Sequence, residues 1–460
     1  MQYIILALIS IFFVSCAAPY SNEDIKNEFK ITQFENSYIN QANKTDSIFE
    51  VFGDEDLKTL INLALNNNSD IYIYENRVNI AASQVKIAIS KQMPSLNGSA
   101  SYGFDGDSTI NANLMASWEL DIFGKYVSSK NSYEELLEQE RQNLEYFKVS
   151  LISDIALAYF NIKYLQTSII LTRDRIKNYY DLVEIMDIYY RNGLVDFAVF
   201  LENKAFLQQE EQTLNSLLKS LEEQKNALRI LINDMEYKFA DSAYSFSEPI
   251  FNVNLENSVE IILNRPDIKA QIAALNATIY QLNSTKAQMY PTLNLSGNLG
   301  KILLSPTGIA DLAYQILTSL TLPLFSRMEI YENIKISDYT RLQSYYTLQK
   351  ALYTAISEVN NAIYSININK DLLKINNEML DENKEILEVL KESNNLGLID
   401  DIEYLNAINS NLLMIKNNIM SYFNTISAVI YLYRSIGGNT NDTKINEIKS
   451  IDTQNGEANE

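Results

Sequence analysis

The chain has 460 residues, with 58 acidic against 37 basic side chains, a formal net charge of −21 and 47% hydrophobic residues. It holds no histidine and a single cysteine, Cys16, which excludes His/Cys zinc sites, histidine acid–base chemistry, Cys–His nucleophiles and internal disulfides. The acidic balance speaks against a phosphate backbone, so no nucleic-acid partner is expected, and a surface or lumen favouring cations fits better.

An apolar stretch runs from Tyr3 to Val14, shorter than the about 20 residues a membrane helix needs and of the length of a signal-peptide core. It closes on Val14-Ser15-Cys16, a sequence similar to a bacterial lipobox. The reading is a signal peptide over 1–15, lipidation at Cys16 and a lipidated linker over 16–46. Its departure is the start, Met1-Gln2, which carries no Lys or Arg; an ordinary secretory signal with an incidental cysteine is the alternative. No later segment offers about 18 uninterrupted apolar residues, so any membrane passage falls to strands.

Strand patterns come next. Leu96, Gly98, Ala100, Tyr102 and Phe104 alternate with Ser95, Asn97, Ser99, Ser101 and Gly103. Ile110, Ala112, Leu114, Ala116, Trp118 and Leu120 alternate with Asn111, Asn113, Met115, Ser117, Glu119 and Asp121. Period two with one apolar face predicts strands joined by a hairpin. A third run covers Leu293–Gly300, and Ile316, Thr318, Leu320, Leu322 and Leu324 make a weaker fourth.

Glycine and proline, the main helix breakers, are absent between Lys125 and Asn192, Leu194 and Glu248, Leu324 and Leu396, and Leu398 and Ile436. Each interval reads as long helix, the longest reaching roughly 100 Å at 1.5 Å per residue. Heptads support this: Leu137, Leu144, Leu151, Ala158 and Leu165 in the first, and Leu352, Val359, Ile366, Leu373, Leu380 and Leu387 in the third. Such spacing marks packed, coiled-coil-like helices.

The whole pattern repeats. Asn68-Ser69-Asp70-Ile71 is echoed by Arg265-Pro266-Asp267-Ile268, Met93-Pro94-Ser95-Leu96-Asn97 by Tyr290-Pro291-Thr292-Leu293-Asn294, and Gly193-Leu194-Val195-Asp196 by Gly397-Leu398-Ile399-Asp400. Matches in one order mean internal duplication; the copies span 47–248 and 249–438, followed by a polar C-terminal tail over 439–460. Alternating strands suit a membrane barrel or a soluble two-layer sheet. Four strands cannot enclose a lumen, since about eight are needed even for a filled interior; membrane strands would therefore require several chains to share one barrel.

Over residues 47 to 438 the chain resembles the TolC-like outer-membrane efflux proteins, specifically the lipoprotein branch serving tripartite efflux systems. Phe52-Gly53-Asp54-Glu55-Asp56-Leu57, Ser117-Trp118-Glu119-Leu120-Asp121-Ile122-Phe123-Gly124, Asn264-Arg265-Pro266-Asp267-Ile268 and Leu322-Pro323-Leu324-Phe325 carry the resemblance. It implies an α+β, mainly α membrane fold: a homotrimeric twelve-stranded β-barrel continued by a periplasmic α-helical barrel. It also implies a periplasmic adaptor, an inner-membrane transporter of RND or ABC type, outer-membrane lipid around the strands, no cofactor and no catalysis.

The resemblance places the pore constriction at the helical hairpin tips, Gly193 and Gly397. Glu403 stands where the family carries an acidic pore residue, Asn406 where a second acid is common, and Ile399 where some members have a basic gating residue. A ring of Glu403 carboxylates with Asp400 and Asp401 nearby is one expectation; solvated acids capping a helix start is the other. Trp118 is expected at the membrane interface, or packed against a neighbouring strand. Type I protein secretion, a structural coiled-coil surface lipoprotein and a carboxylate-based hydrolase are the alternatives in function. Cys16→Ala should abolish metabolic palmitate labelling; labelling that persists would refute the lipobox.

Overall fold

The computed structural model describes residues 18–29, 40–41, 47–104, 108–240, 244–253, 258–304, 313–323, 326–439 and 442–443. Signal segment 1–15, Cys16, most of linker 16–46, the hairpin loops at 105–107 and 305–312, and 444–460 lie outside the described residues. The chain opens with α1 (Asn22–Glu28), β1 (Asn40–Gln41) and α2 (Ile48–Phe52). Then come α3 (Glu55–Asn67), α4 (Ser69–Ser90), β2 (Ser95–Phe104), β3 (Ser108–Leu120), α5 (Lys125–Arg191) and α6 (Phe197–Ile232). After β4 (Asn252–Val253) the order recurs as α7 (Ser258–Asn264), α8 (Pro266–Ala287), β5 (Thr292–Leu304), β6 (Ala313–Thr321), α9 (Arg327–Asn395) and α10 (Asp401–Ser435). Paired lengths agree closely: 22 residues each for α4 and α8, 67 and 69 for α5 and α9, 36 and 35 for α6 and α10.

The chain divides into two compact units, each drawing on both copies: Met1–Lys30, Ile73–Leu144 and Pro266–Tyr353, and Ile31–Tyr72, Glu145–Arg265 and Thr354–Glu460. The first holds an antiparallel sheet of order β2-β3-β5-β6, so β2 and β6 are its edges. Its N-terminal clip is tightly built. The Tyr20 N–H donates to Asn276 Oδ1 at 2.8 Å while Asn276 Nδ2 donates back to the Tyr20 carbonyl at 3.2 Å. A Ser21–Asp24 capping box starts α1, Ile25 and Phe29 are buried, and the Tyr345 hydroxyl donates to Glu28 at 2.7 Å.

The second unit is helical, apart from the short parallel pair β1–β4. Val359, Ile366 and Leu373 of the heptad run are at most 2% exposed, whereas Leu380 and Leu387 nearer the hairpin tip are only half-buried. Asp54 caps α3 and also accepts hydroxyl protons from Tyr159 at 2.8 Å and Tyr244 at 3.2 Å.

Two expectations change. The interval from Leu194 to Glu248 is not helix throughout: α6 ends at Ile232, because Asn233 adopts a left-handed φ of +53° and its N–H closes on Arg229 and Ile230 carbonyls. Asparagine tolerates that conformation better than other non-glycine residues. The fourth strand runs Ala313–Thr321, so Leu322 lies beyond it and Leu324 falls outside the described residues; Pro323 lacks the N–H a ladder needs. Within 439–460, Asp442 is 1% exposed. It accepts from the Ser47 hydroxyl, the Ile48 N–H at 3.2 Å and the Tyr433 hydroxyl at 2.7 Å.

Polar layers cross the helix packing of this unit. Asn178 meets Asn409, Asn376 meets Ser421 and Asn418 meets Asn377. Arg175 of α5 pairs with Glu210 of α6 at 2.9 Å, both side chains almost buried, and burial draws the nearby Lys416 ammonium of α10 below the usual lysine range. One carboxylate thus answers two cations. Removing one partner of a buried pair costs about 3–5 kcal/mol, so Glu210→Gln should lower the thermal midpoint markedly in detergent, followed by circular dichroism, with the added substitution Arg175→Met recovering part of the loss.

Candidate functional site

The two hairpin tips are built alike. Tyr189 and Tyr190 carbonyls receive the Leu194 and Gly193 N–H groups, each at 2.9 Å. At the second tip Ser393 and Asn394 receive those of Leu398 and Gly397 at 2.8 and 2.9 Å. Gly193 and Gly397 have φ of +73° and +68°. An added Cβ would meet nothing within 4 Å at either, so backbone conformation, not space, calls for glycine there.

The acids of the second tip divide in role. Asp400 caps α10, its Oδ1 accepting the Glu403 N–H at 2.8 Å, and Asp401 accepts from Asn394 Nδ2 at 3.0 Å. Asp196, at the matching position of the first tip, makes no side-chain cap bond. Glu403 and Asn406 are exposed and begin a stripe of exposed residues, Glu403, Asn406, Ser410, Leu413, Asn417 and Met420, spaced three or four apart along one helix line. Glu403 is its one charge.

The sheet has two chemically opposite faces. Register places Asn97 beside Met115 and Asn298, Ser95 beside Ser117 and Ser296, and Glu119 beside Asn294 and Ser319; these share one face with Ser99, Ser101, Asn111 and Asn113. The other face carries Leu96, Tyr102, Phe104, Leu114, Tyr314, Ile316 and Leu320, all exposed, with Ile316 at 77%. Trp118 lies on this apolar face, 36% exposed, while its indole N–H donates to the Gln92 carbonyl at 2.9 Å. The ring is thus apolar surface while its polar handle is satisfied within the chain.

Below β3 the chain turns into α5 through a cluster the sequence pattern did not single out. Lys125 Nζ reaches Glu119 Oε1 at 2.9 Å, and the Tyr126 hydroxyl donates to Glu119 Oε2 at 2.8 Å. Asp121 accepts the Val127 N–H at 2.7 Å and Phe123 stacks on Tyr290. The only sequence signal was an acid on the polar face six residues before a base.

The family model for "Outer membrane efflux protein" matches residues 60–234 and 257–438. The chain belongs to that family. This outer membrane efflux protein is 28% identical over 316 residues to "Toxin and drug export protein A" of Aggregatibacter actinomycetemcomitans, covering 65% of this chain and 68% of that protein. It is 23% identical over 318 residues to "Probable outer membrane lipoprotein SilC" of Salmonella typhimurium, covering 64% and 66%. Its fold is similar to that of the Campylobacter jejuni CmeC outer membrane channel, with a TM-score of 0.78, 20% identity and coverage of 92% and 94%. The family resemblance and the mainly helical α+β fold expected from sequence are both found. Members of this family are channels of the bacterial outer membrane, not enzymes. A left-handed backbone costs a residue with a Cβ about 1–2 kcal/mol. Gly397→Ala should therefore lower the thermal midpoint, whereas Gly98→Ala, at an open strand position, should leave it nearly unchanged.

Proposed function

We propose that three copies of this efflux protein close one twelve-stranded barrel in the outer membrane, continued by their long helical hairpins as a duct through the periplasm. The carrying observation is the sheet: four strands, one largely apolar exposed face, one polar face, and two edges, β2 and β6. Strand lengths of 10 and 13 residues suit a tilted span of the hydrocarbon layer. Unpaired backbone cannot face lipid, because nothing there replaces the lost hydrogen bonds. Pairing β2 of one copy with β6 of the next satisfies every edge and turns the polar face inward.

In this assembly Glu403 of each copy points its charge toward the axis near the tips, forming a ring of carboxylates that attracts cations, with Asn406 one turn behind. Asp400 acts chiefly as a local cap and Asp401 as a partner of Asn394, one oxygen of each being engaged. Leu194 and Leu398, 69% and 72% exposed at the two tips, supply apolar contacts for a periplasmic adaptor, which links the duct to an inner-membrane transporter of RND or ABC type. Cys16 is the lipid anchor; the clip that holds Tyr20 begins close after it, and the likeness to a protein described as a lipoprotein supports the same reading. Small molecules such as drugs are the cargo. Export of a protein toxin is the second reading, favoured by the relative whose description names toxin and drug together.

Purified protein in planar bilayers should conduct, and Glu403→Ala should raise single-channel conductance or weaken block by polyvalent cations. If both stay as in wild type, Glu403 does not line the constriction. A monomer that gives no current would overturn the channel itself.

A further inference from the structure

The polar face of the sheet is nearly free of charge. Among the described side chains it presents serine, asparagine, glutamine and threonine, with Met115 and Leu317, and a single ionisable group, Glu119. That carboxylate is fully engaged. Lys125 Nζ sits 2.9 Å from one oxygen, the Tyr126 hydroxyl donates to the other at 2.8 Å, and Lys125 also reaches the Tyr126 oxygen at 3.2 Å. Glu119 and Lys125 keep only 24% and 28% of their side-chain surface exposed. Lys125 is the first residue of α5, and its backbone carbonyl accepts from Ser284 at 2.8 Å, so the ammonium is held at the helix-side rim of the polar face.

The second copy lacks this pair of residue types. Thr321 stands where Glu119 does, and Arg327, first residue of α9, stands where Lys125 does. We infer that the Glu119–Lys125 pair shapes ion selectivity: each partner cancels the other's charge at the helix-side end of the barrel lumen, so that neither adds to discrimination by charge there.

This inference rests on the polar face being the lumen of a shared barrel. An uncompensated charge about 10 Å from a permeating ion in water changes local ion occupancy roughly twofold, and three copies would each contribute one. The test is the potassium-to-chloride permeability ratio, from reversal potentials across a salt gradient. Lys125→Gln should unmask Glu119 and raise the ratio roughly twofold or more. Glu119→Gln should leave the ammonium uncompensated and lower it by a similar factor. The double variant Glu119→Gln/Lys125→Gln should return to the wild-type ratio. A merely structural pair would instead lower thermal stability in each single variant, leave the ratio unmoved, and give no recovery of wild-type behaviour in the double.

Asn294→Lys provides a variant that breaks no ion pair. Asn294 lies directly beside Glu119 in register, and the substitution should shift the ratio toward chloride. An unchanged ratio in Asn294→Lys, or in both single variants, overturns the inference while leaving the channel intact. A wild-type protein that carries no current overturns the channel reading instead.

Discussion

The structure turns on the hydrogen-bonding needs of backbone in lipid. A four-stranded sheet with an exposed apolar face cannot rest in water without aggregating, nor in a membrane with open edges. The ladder β2-β3-β5-β6 satisfies only its interior backbone groups, and in the proposed assembly the edge groups are satisfied between chains. Duplication is one economical route to this state: each copy supplies one hairpin, and β3 of the first pairs with β5 of the second across the repeat boundary.

Long helices impose a second constraint. A helix of 67 or 69 residues cannot be stabilised by its intrinsic propensity and depends on partners along its length. The hairpins provide them, and the two tight turns that return the chain are possible because Gly193 and Gly397 accept positive φ. Polar layers such as Asn418–Asn377 and Arg175–Glu210 place paired polar groups at the contacts where the helices meet. The exposed stripe begun by Glu403 follows from the same packing, since the buried residues of α10 turn the opposite line outward.

Much of this was legible in the residues. Period-two alternation located β2 almost to the residue, because a sheet with one apolar face writes its geometry directly into sequence. Missing glycine and proline located α5, α9 and α10. The same rule failed after Ile232, where Asn233 ends a helix by adopting a conformation usually left to glycine. The hairpin glycines were legible as turns, and Asp400 as a cap. Illegible were contacts made across long sequence distances: Asp442 receiving Ser47 and Asn276 clasping Tyr20. No local pattern encodes such pairs, since their spacing is set by the fold.

The central claim is that β2 and β6 meet between copies, and thiol cross-linking tests it most directly. With Cys16 replaced, one cysteine is placed on β2 at Ala100 and one on β6 at Ile316, both on the apolar face. Membranes are then treated with a bifunctional maleimide that spans neighbouring strands. Covalent dimers and trimers and nothing larger are expected, with no cross-linking between chains when the cysteines are moved to β3 and β5. Chains that stay monomeric, or a ladder that continues beyond three, would contradict it.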